Sequence, residues 1–337
     1  MLRSYEFLLF LALVPGLVIL FKIYTSDRIE REPVSLILKL VFFGFFLIPL
    51  AIFLELAIDK YFVSIFSSRL LRATVDAFFC AALVEEGLKL LFLRLGTWRN
   101  KEFNYRYDAI VYAVSVSLGF AMVENVLYVY QYGISTAILR AFTSVPLHAF
   151  CGVFMGFHYG LAKQADCEQD YNESRSHMGE AFLVPFVIHG LADALLMYDS
   201  MATLLAFLIF LLGLYYVSIK RIKYCAENDV CLFPNRYTYC SDVDPSWAAS
   251  FETSRSSMAD NFQRPATSKR CANANSIVGF LLGIVSYLTL TVLLIPDILA
   301  IIFSLMGIKK SRNGFGIAGL VLGATSLLIG LLFLFYL

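Results

Sequence analysis

Glu85, Glu86 and Lys89 stand inside an apolar run, Leu-Val-Glu-Glu-Gly-Leu-Lys-Leu-Leu-Phe-Leu at residues 83–93, that begins near Ala73 and continues to Leu95. That length crosses a bilayer as a helix. An ionisable side chain near a bilayer centre costs roughly 2.5–3.5 kcal/mol on insertion scales, whereas an apolar one returns about 0.3–0.6. Three ions therefore cost on the order of 8–10 kcal/mol, against about 6 from a dozen apolar neighbours. Partners must supply the difference. Helical spacing provides the first of them, because Glu85–Lys89 is an i,i+4 pair and Glu86–Lys89 an i,i+3 pair. One ammonium neutralises one carboxylate, and adjacent carboxylates repel in low dielectric. An ionisable cluster at membrane depth points to a functional site.

Three more constellations follow in the sequence. Phe120-Ala-Met-Val-Glu124-Asn125 puts a carboxylate and an amide deep in an apolar stretch, and His148-Ala-Phe-Cys-Gly152 follows, with Gly156 one turn on. His189-Gly-Leu-Ala-Asp193 then sets an imidazole and a carboxylate on one helix face. Each has a bland explanation as a packing hydrogen bond. Four successive apolar segments with a costly polar group in each point instead to one shared site. A carboxylate can take a proton from water, and histidines can stabilise an oxyanion or hold a metal. That inventory suits amide hydrolysis without a protein nucleophile. No H-E-x-x-H zincin motif and no G-x-S-x-G elbow is present.

The elements that must position these groups are membrane helices. Of 337 residues, 59% are hydrophobic and only 16% charged, with a mean hydropathy of +0.72, far from the roughly one quarter charged of soluble domains. The expected fold is all-α, a polytopic helix bundle with about nine spans at 4–24, 34–58, 71–95, 107–131, 136–162, 180–199, 201–222, 276–306 and 314–337. Residues 5–24 lack a small-residue cleavage site and are read as the first span rather than a signal peptide. Lys39 and Glu55 sit near the ends of the second span, where snorkelling serves them. Arg99, Lys101 and Arg106, like Lys220, Arg221 and Lys223, mark cytoplasmic loops and put the N-terminus outside; Lys309, Lys310 and Arg312 break the rule. A net charge of +1 gives nucleic-acid binding no electrostatic support.

Three domains are expected: a helix bundle at 1–223, a polar linker at 224–275 and a glycine-rich helical pair at 276–337. The last part carries a repeat, Ile277-Val-Gly-Phe-Leu-Leu-Gly-Ile-Val-Ser286 returning as Ile317-Ala-Gly-Leu-Val-Leu-Gly-Ala-Thr-Ser326. Its G-x-x-x-G spacing serves close helix packing, and the pair resembles a small bacterial two-helix domain of unknown function. Seven cysteines without a C-x-x-C argue for a mostly reduced chain, with Cys225, Cys231, Cys240 and Cys271 as free thiols rather than zinc ligands.

E-E-x-x-K at 85–89, F-x-x-x-E-N at 120–125, H-x-x-x-G at 148–152 and H-x-x-x-D at 189–193 together resemble, in order, the PrsW family of intramembrane proteases. The wider group includes CAAX prenyl endopeptidases and bacteriocin-processing enzymes, and the resemblance covers residues 1–223. The resemblance implies a multi-pass endopeptidase of the bacterial inner membrane that acts on a membrane-anchored protein, such as an anti-sigma factor, within the lipid bilayer. Glu85 would activate water, Glu86 would assist, and Glu124, His148 and His189 would line the cavity. Asp193 would orient His189, Lys89 would pair with a carboxylate, and Asn125 could donate to the oxyanion. The second motif ends in glutamate where the prenyl endopeptidases have histidine, which sets a prenyl-cysteine substrate aside. Zinc or another divalent metal on His148, His189 and Glu124 and a metal-free glutamate mechanism both fit these residues. The rival functions are a proton- or ion-coupled transporter and an inactive scaffold or immunity protein on the same fold.

Overall fold

The computed structural model describes residues 2–198, 200–233, 300–302, 304–305, 319–320 and 323–324. Contacts divide the chain into two units, Met1–Val230 and Cys231–Leu337. The first is built from α1 (Leu2–Tyr24), α2 (Val34–Tyr61), a short 3-10 turn (Val63–Ile65), α3 (Arg69–Val75), a π-helical segment (Asp76–Ala82) and α4 (Leu83–Thr97). α5 (Asp108–Tyr132), α6 (Ile134–Phe142), α7 (Ser144–Cys167), α8 (Tyr171–Met197) and α9 (Met201–Glu227) complete it. No β-strand occurs among the described residues. In the second unit the described residues from 300 onward are helical. The expected spans 276–306 and 314–337, and the repeat within them, lie largely outside the described residues.

Among the described residues six helices are long and apolar enough to cross a membrane: Glu6–Tyr24, Val34–Ile65, Asp108–Tyr132, Ile134–Cys167, Tyr171–Met197 and Met201–Glu227. These are six of the seven spans expected in residues 1–223. The expected third span, 71–95, is instead a composite of α3, the π-helical segment and α4, too charged to qualify by composition. It still runs between the two ends of the bundle. At its start Arg72 pairs with Asp59 near the end of α2, at 3.4 Å, and just past its end Trp98 O accepts from Lys163 near the end of α7, at 2.9 Å. The expected fifth span, 136–162, breaks at Thr143 into α6 and α7. One further correction concerns the thiols: Cys231 is disulfide-bonded, not free, whereas Cys225 is a free thiol.

Helix α5 is the axis of the bundle, with every side chain from Asp108 to Met122 buried. In lipid there is no apolar driving force to hold such a helix, so close backbone contact must do so. A β-carbon at Gly44 of α2 or Gly119 of α5 would run into the facing helix backbone. On α7, Gly152 and Gly156 press on Val114 and Ala109 of α5, and Gly160, four residues further on, presses on Arg106 just before it. Outward-facing Phe21, Phe46, Phe53 and Leu212 are more than two-thirds exposed, as a lipid-facing surface requires.

At one end of the bundle the α1–α2 connection is tied to α5. The Tyr112 hydroxyl donates to Glu32 Oε2 at 2.5 Å, and the Tyr24 hydroxyl donates to Glu32 O at 3.0 Å. Burial pushes the Glu32 carboxyl up to about 7, against the opposing pull of the Tyr112 hydrogen bond, and Asp27 and Glu30 beside it add repulsion. Asp27 is pushed up to about 6 by its own burial. A carboxyl raised in the folded state binds more protons there than in the unfolded chain, so stability falls as pH rises from the unfolded value through the folded one. Apparent melting temperature in detergent is therefore expected to drop between pH 5 and pH 8. In Glu32→Gln the drop should be smaller, the stability lost over that range shrinking by on the order of 3 kcal/mol, and equal slopes in the two proteins would remove this assignment.

Candidate active site

Lys89 of α4 is the centre of the site. It is wholly buried, and an ammonium carries three hydrogens and no lone pair. Its Nζ donates to Glu85 Oε2 at 3.0 Å and to Glu86 Oε1 at 2.8 Å, lies 3.1 Å from His148 Nδ1, and sits 4.3 Å from the Phe120 ring centroid. All three hydrogens are thereby used. The local pairs expected from helical spacing are present, and the second carboxylate is accommodated because His148 of α7 and His189 of α8 close the remaining sides.

The ammonium also settles the tautomer of His148. Facing a group that can only donate, Nδ1 must accept, so Nε2 carries the proton and donates to Glu124 Oε2 of α5 at 2.8 Å. The other Glu124 oxygen, Oε1, faces Arg140 Nη2 of α6 at 2.9 Å. Arg140 Nε donates to Asn125 Oδ1 at 3.0 Å, and its guanidinium stacks 4.1 Å from the Tyr128 ring centroid. On the opposite side His189 Nδ1 meets Glu86 Oε1 at 2.8 Å, and its Nε2 lies 3.4 Å from Asp193 Oδ2. The two imidazoles meet edge to face, with centroids 5.1 Å apart. A continuous polar chain thus runs Arg140–Glu124–His148–Lys89–Glu86–His189–Asp193 through five helices.

Local sequence explains these placements. A π-helical segment ends three residues before Glu85; such segments re-aim a helix face and concentrate at functional sites. Gly190, next to His189, lets α8 press on Phe78 of that segment, where a β-carbon would come within 2.5 Å of the ring. Ser117 Oγ donates to His148 O at 2.7 Å and fixes the start of α7 on α5. Of the sequence candidates, Glu85, Glu86, Lys89, Glu124, His148, His189 and Asp193 all come into this chain. Asn125 does so only through Arg140: it is fully buried and its Nδ2 donates to Ala12 O at 2.8 Å, so its amide braces α1 rather than facing the carboxylates. Arg140 is the partner the sequence reading passes over. Its signal was the same as that of Lys89, a cation inside an apolar run.

One ligand atom from each of Glu85, Glu86, His148 and His189 lies within 4.8 Å of the others, all four being buried. Glu86 Oε2 is a buried oxygen with no hydrogen-bond partner among the described residues. Two carboxylates and two imidazoles fit a divalent metal of the zinc type in donor chemistry and spacing. An ion there would share or take the position of the Lys89 ammonium. Glu124 stands outside the group, engaged by His148 Nε2 and Arg140, so the donors beside the two histidines are Glu85 and Glu86.

A family model described as PrsW family intramembrane metalloprotease matches residues 32–218. "Protease PrsW" of Oceanobacillus iheyensis is 36% identical over 220 residues, 65% of this chain and 95% of that one. The same-named protein of Geobacillus kaustophilus is 35% identical over 209 residues, 62% of this chain and 88% of that one. That of Bacillus subtilis is 33% identical over 192 residues, 55% of this chain and 80% of that one. No solved structure matches.

Proposed function

The chain belongs to the PrsW family of intramembrane metalloproteases and is a multi-pass membrane peptidase; from that premise we propose that it is an endopeptidase of the bacterial inner membrane, cleaving a membrane-anchored protein such as an anti-sigma factor with a water activated by Glu85. The observation that carries this reading is the convergence from three separate helices of Glu85, Glu86 and His148 on one buried ammonium, with His189 on Glu86 beside it. Residues 1–223 would form the catalytic bundle, with 224–275 as linker and 276–337 as an appended helical pair.

The division of labour follows from access. Glu86 is wholly buried and held by Lys89 and His189, whereas Glu85 retains 7% exposure. Glu85 is therefore the carboxylate that meets water. It takes one proton as the water oxygen attacks the scissile carbonyl carbon. His189, whose Nδ1 is held by Glu86 and whose Nε2 lies a long 3.4 Å from Asp193, turns its Nε2–H to the oxyanion that forms, Asp193 having positioned the ring. The proton held by Glu85 then passes to the leaving amine as the C–N bond breaks. Glu86 holds Lys89 and His189 in register, and Glu124 with Arg140 does the same for His148. A divalent metal held by Glu85, Glu86, His148 and His189 would supply Lewis acidity toward a carbonyl or water.

A comparison of membrane-protein fragments tests the proposal. Cells carrying the wild type are expected to yield juxtamembrane or intramembrane fragments of at least one single-span protein that cells carrying Glu85→Gln lack, at equal membrane levels of the two enzymes. Identical fragment patterns would overturn the proposal.

A further inference from the structure

A second cluster of ligand-type side chains stands apart from this site. His158 lies ten residues beyond His148 on α7, about 15 Å along the helix, and His177 lies twelve before His189 on α8, about 18 Å. His158, His177 and Glu180 are all buried, and one ligand atom from each lies within 4.8 Å of the others. We propose that His158, His177 and Glu180 form a second metal site that takes one zinc-type divalent ion and ties α7 to α8 beside the turn that joins them.

The geometry is that of a three-ligand site rather than of ordinary packing. A single oxygen, Glu180 Oε2, is approached by His158 Nδ1 at 2.8 Å from one helix and by His177 Nδ1 at 2.9 Å from the other. Tetrahedral zinc with bonds near 2.0–2.1 Å sets its ligands about 3.3 Å apart, so the donors need to open by only about half an ångström. His158 Nδ1 is buried and, despite that 2.8 Å approach, makes no well-formed hydrogen bond, and Nε2 likewise has no hydrogen-bond partner among the described residues. A buried polar atom left in that way is costly in a purely structural network. The other nitrogen of His177, Nε2, faces Glu173 Oε1 at 3.4 Å. A metal-bound histidine usually directs its second nitrogen to a carboxylate in this way.

Charge and access agree with the assignment. Glu173 and Glu180 place two carboxylates at the cluster, and the cation that faces it is Arg221 of α9, whose guanidinium packs 4.1 Å from the Phe157 ring centroid. Glu173 belongs to the first turn of α8 and is largely exposed, so an ion can enter at the α7–α8 turn without crossing the bundle. Three protein ligands leave a fourth position for water.

The test uses the full chain in detergent, stripped with a chelator and re-equilibrated with buffered Zn2+. Wild type is expected to bind one equivalent that Glu180→Gln and His177→Ala lose, with an affinity at least tenfold weaker in each. Zn2+ should raise the melting temperature of wild type by clearly more than that of Glu180→Gln, which keeps the Glu85–Glu86–His148–His189 group and whose metal-free melting temperature should match wild type. Should the variants fail to fold, diethyl pyrocarbonate footprinting of wild type decides: Zn2+ is expected to protect His158 and His177. Zinc binding by Glu180→Gln equal to wild type, or a wild type whose His158 and His177 are labelled equally with and without Zn2+, overturns the site. Every variant compared keeps Glu85, Glu86, His148 and His189, so the differences read out the second cluster alone, and failure here leaves the peptidase reading where it stands.

Discussion

Glu85→Gln is expected to lower kcat for a membrane-anchored substrate by about 10²–10⁴-fold with KM little changed, the range by which a positioned general base accelerates proton transfer. Glutamine is nearly isosteric, and its amide oxygen can still accept from Lys89 at the 3.0 Å position that Glu85 Oε2 now occupies. What it lacks is the capacity to take a proton. His189→Ala removes the Nε2–H assigned to the developing oxyanion, and a loss of about 10²–10³-fold is expected. Purified enzyme in proteoliposomes with a quenched single-span substrate measures both. Turnover within threefold of wild type for Glu85→Gln would remove the base assignment, and the same result for His189→Ala would remove the oxyanion one.

Lys89→Met carries the largest expected effect on stability. The ammonium is wholly buried, and its removal leaves Glu85, Glu86 and His148 without the group that satisfies all three. Breaking a buried ion pair from one side costs about 3–5 kcal/mol, because the remaining charge is uncompensated. At about 2–4 °C per kcal/mol for a domain of this size, the melting temperature should fall by roughly 10 °C. Methionine fills similar volume, so lost packing contributes little. Adding Glu86→Gln should restore part of the loss, since the partner charge is then absent; the double-mutant cycle isolates the Lys89–Glu86 coupling. A single variant as stable as wild type would show that the ammonium does not hold the site together.

The distance over which an interaction acts divides what the chain alone reveals from what it hides. Apolar run length and the cost of an ion in lipid are properties of local sequence. They are enough to read an all-α membrane bundle, to find the Glu85–Lys89 pairs, and to bring Glu124, His148, His189 and Asp193 under suspicion together. Family membership, too, was legible in four short motifs. Local periodicity does not report a change of helical pitch, so the π-helical segment before Glu85 and the break at Thr143 that separates α6 from α7 were invisible.

Pairing across helices was equally hidden. Arg140 to Glu124 spans 16 residues of chain, and Lys89 to His148 spans 59. Each depends on how helices cross, which Gly44, Gly119 and the Gly152–Gly156–Gly160 stripe set through backbone contact. The same crossings turned Asn125 toward Ala12, grouped Glu85 and Glu86 with the histidines in place of Glu124, and gathered His158, His177 and Glu180 at the α7–α8 turn. Composition and spacing say which charges need company in the membrane; only the packing of the helices chooses the company, because the partners are near in space and far apart along the chain.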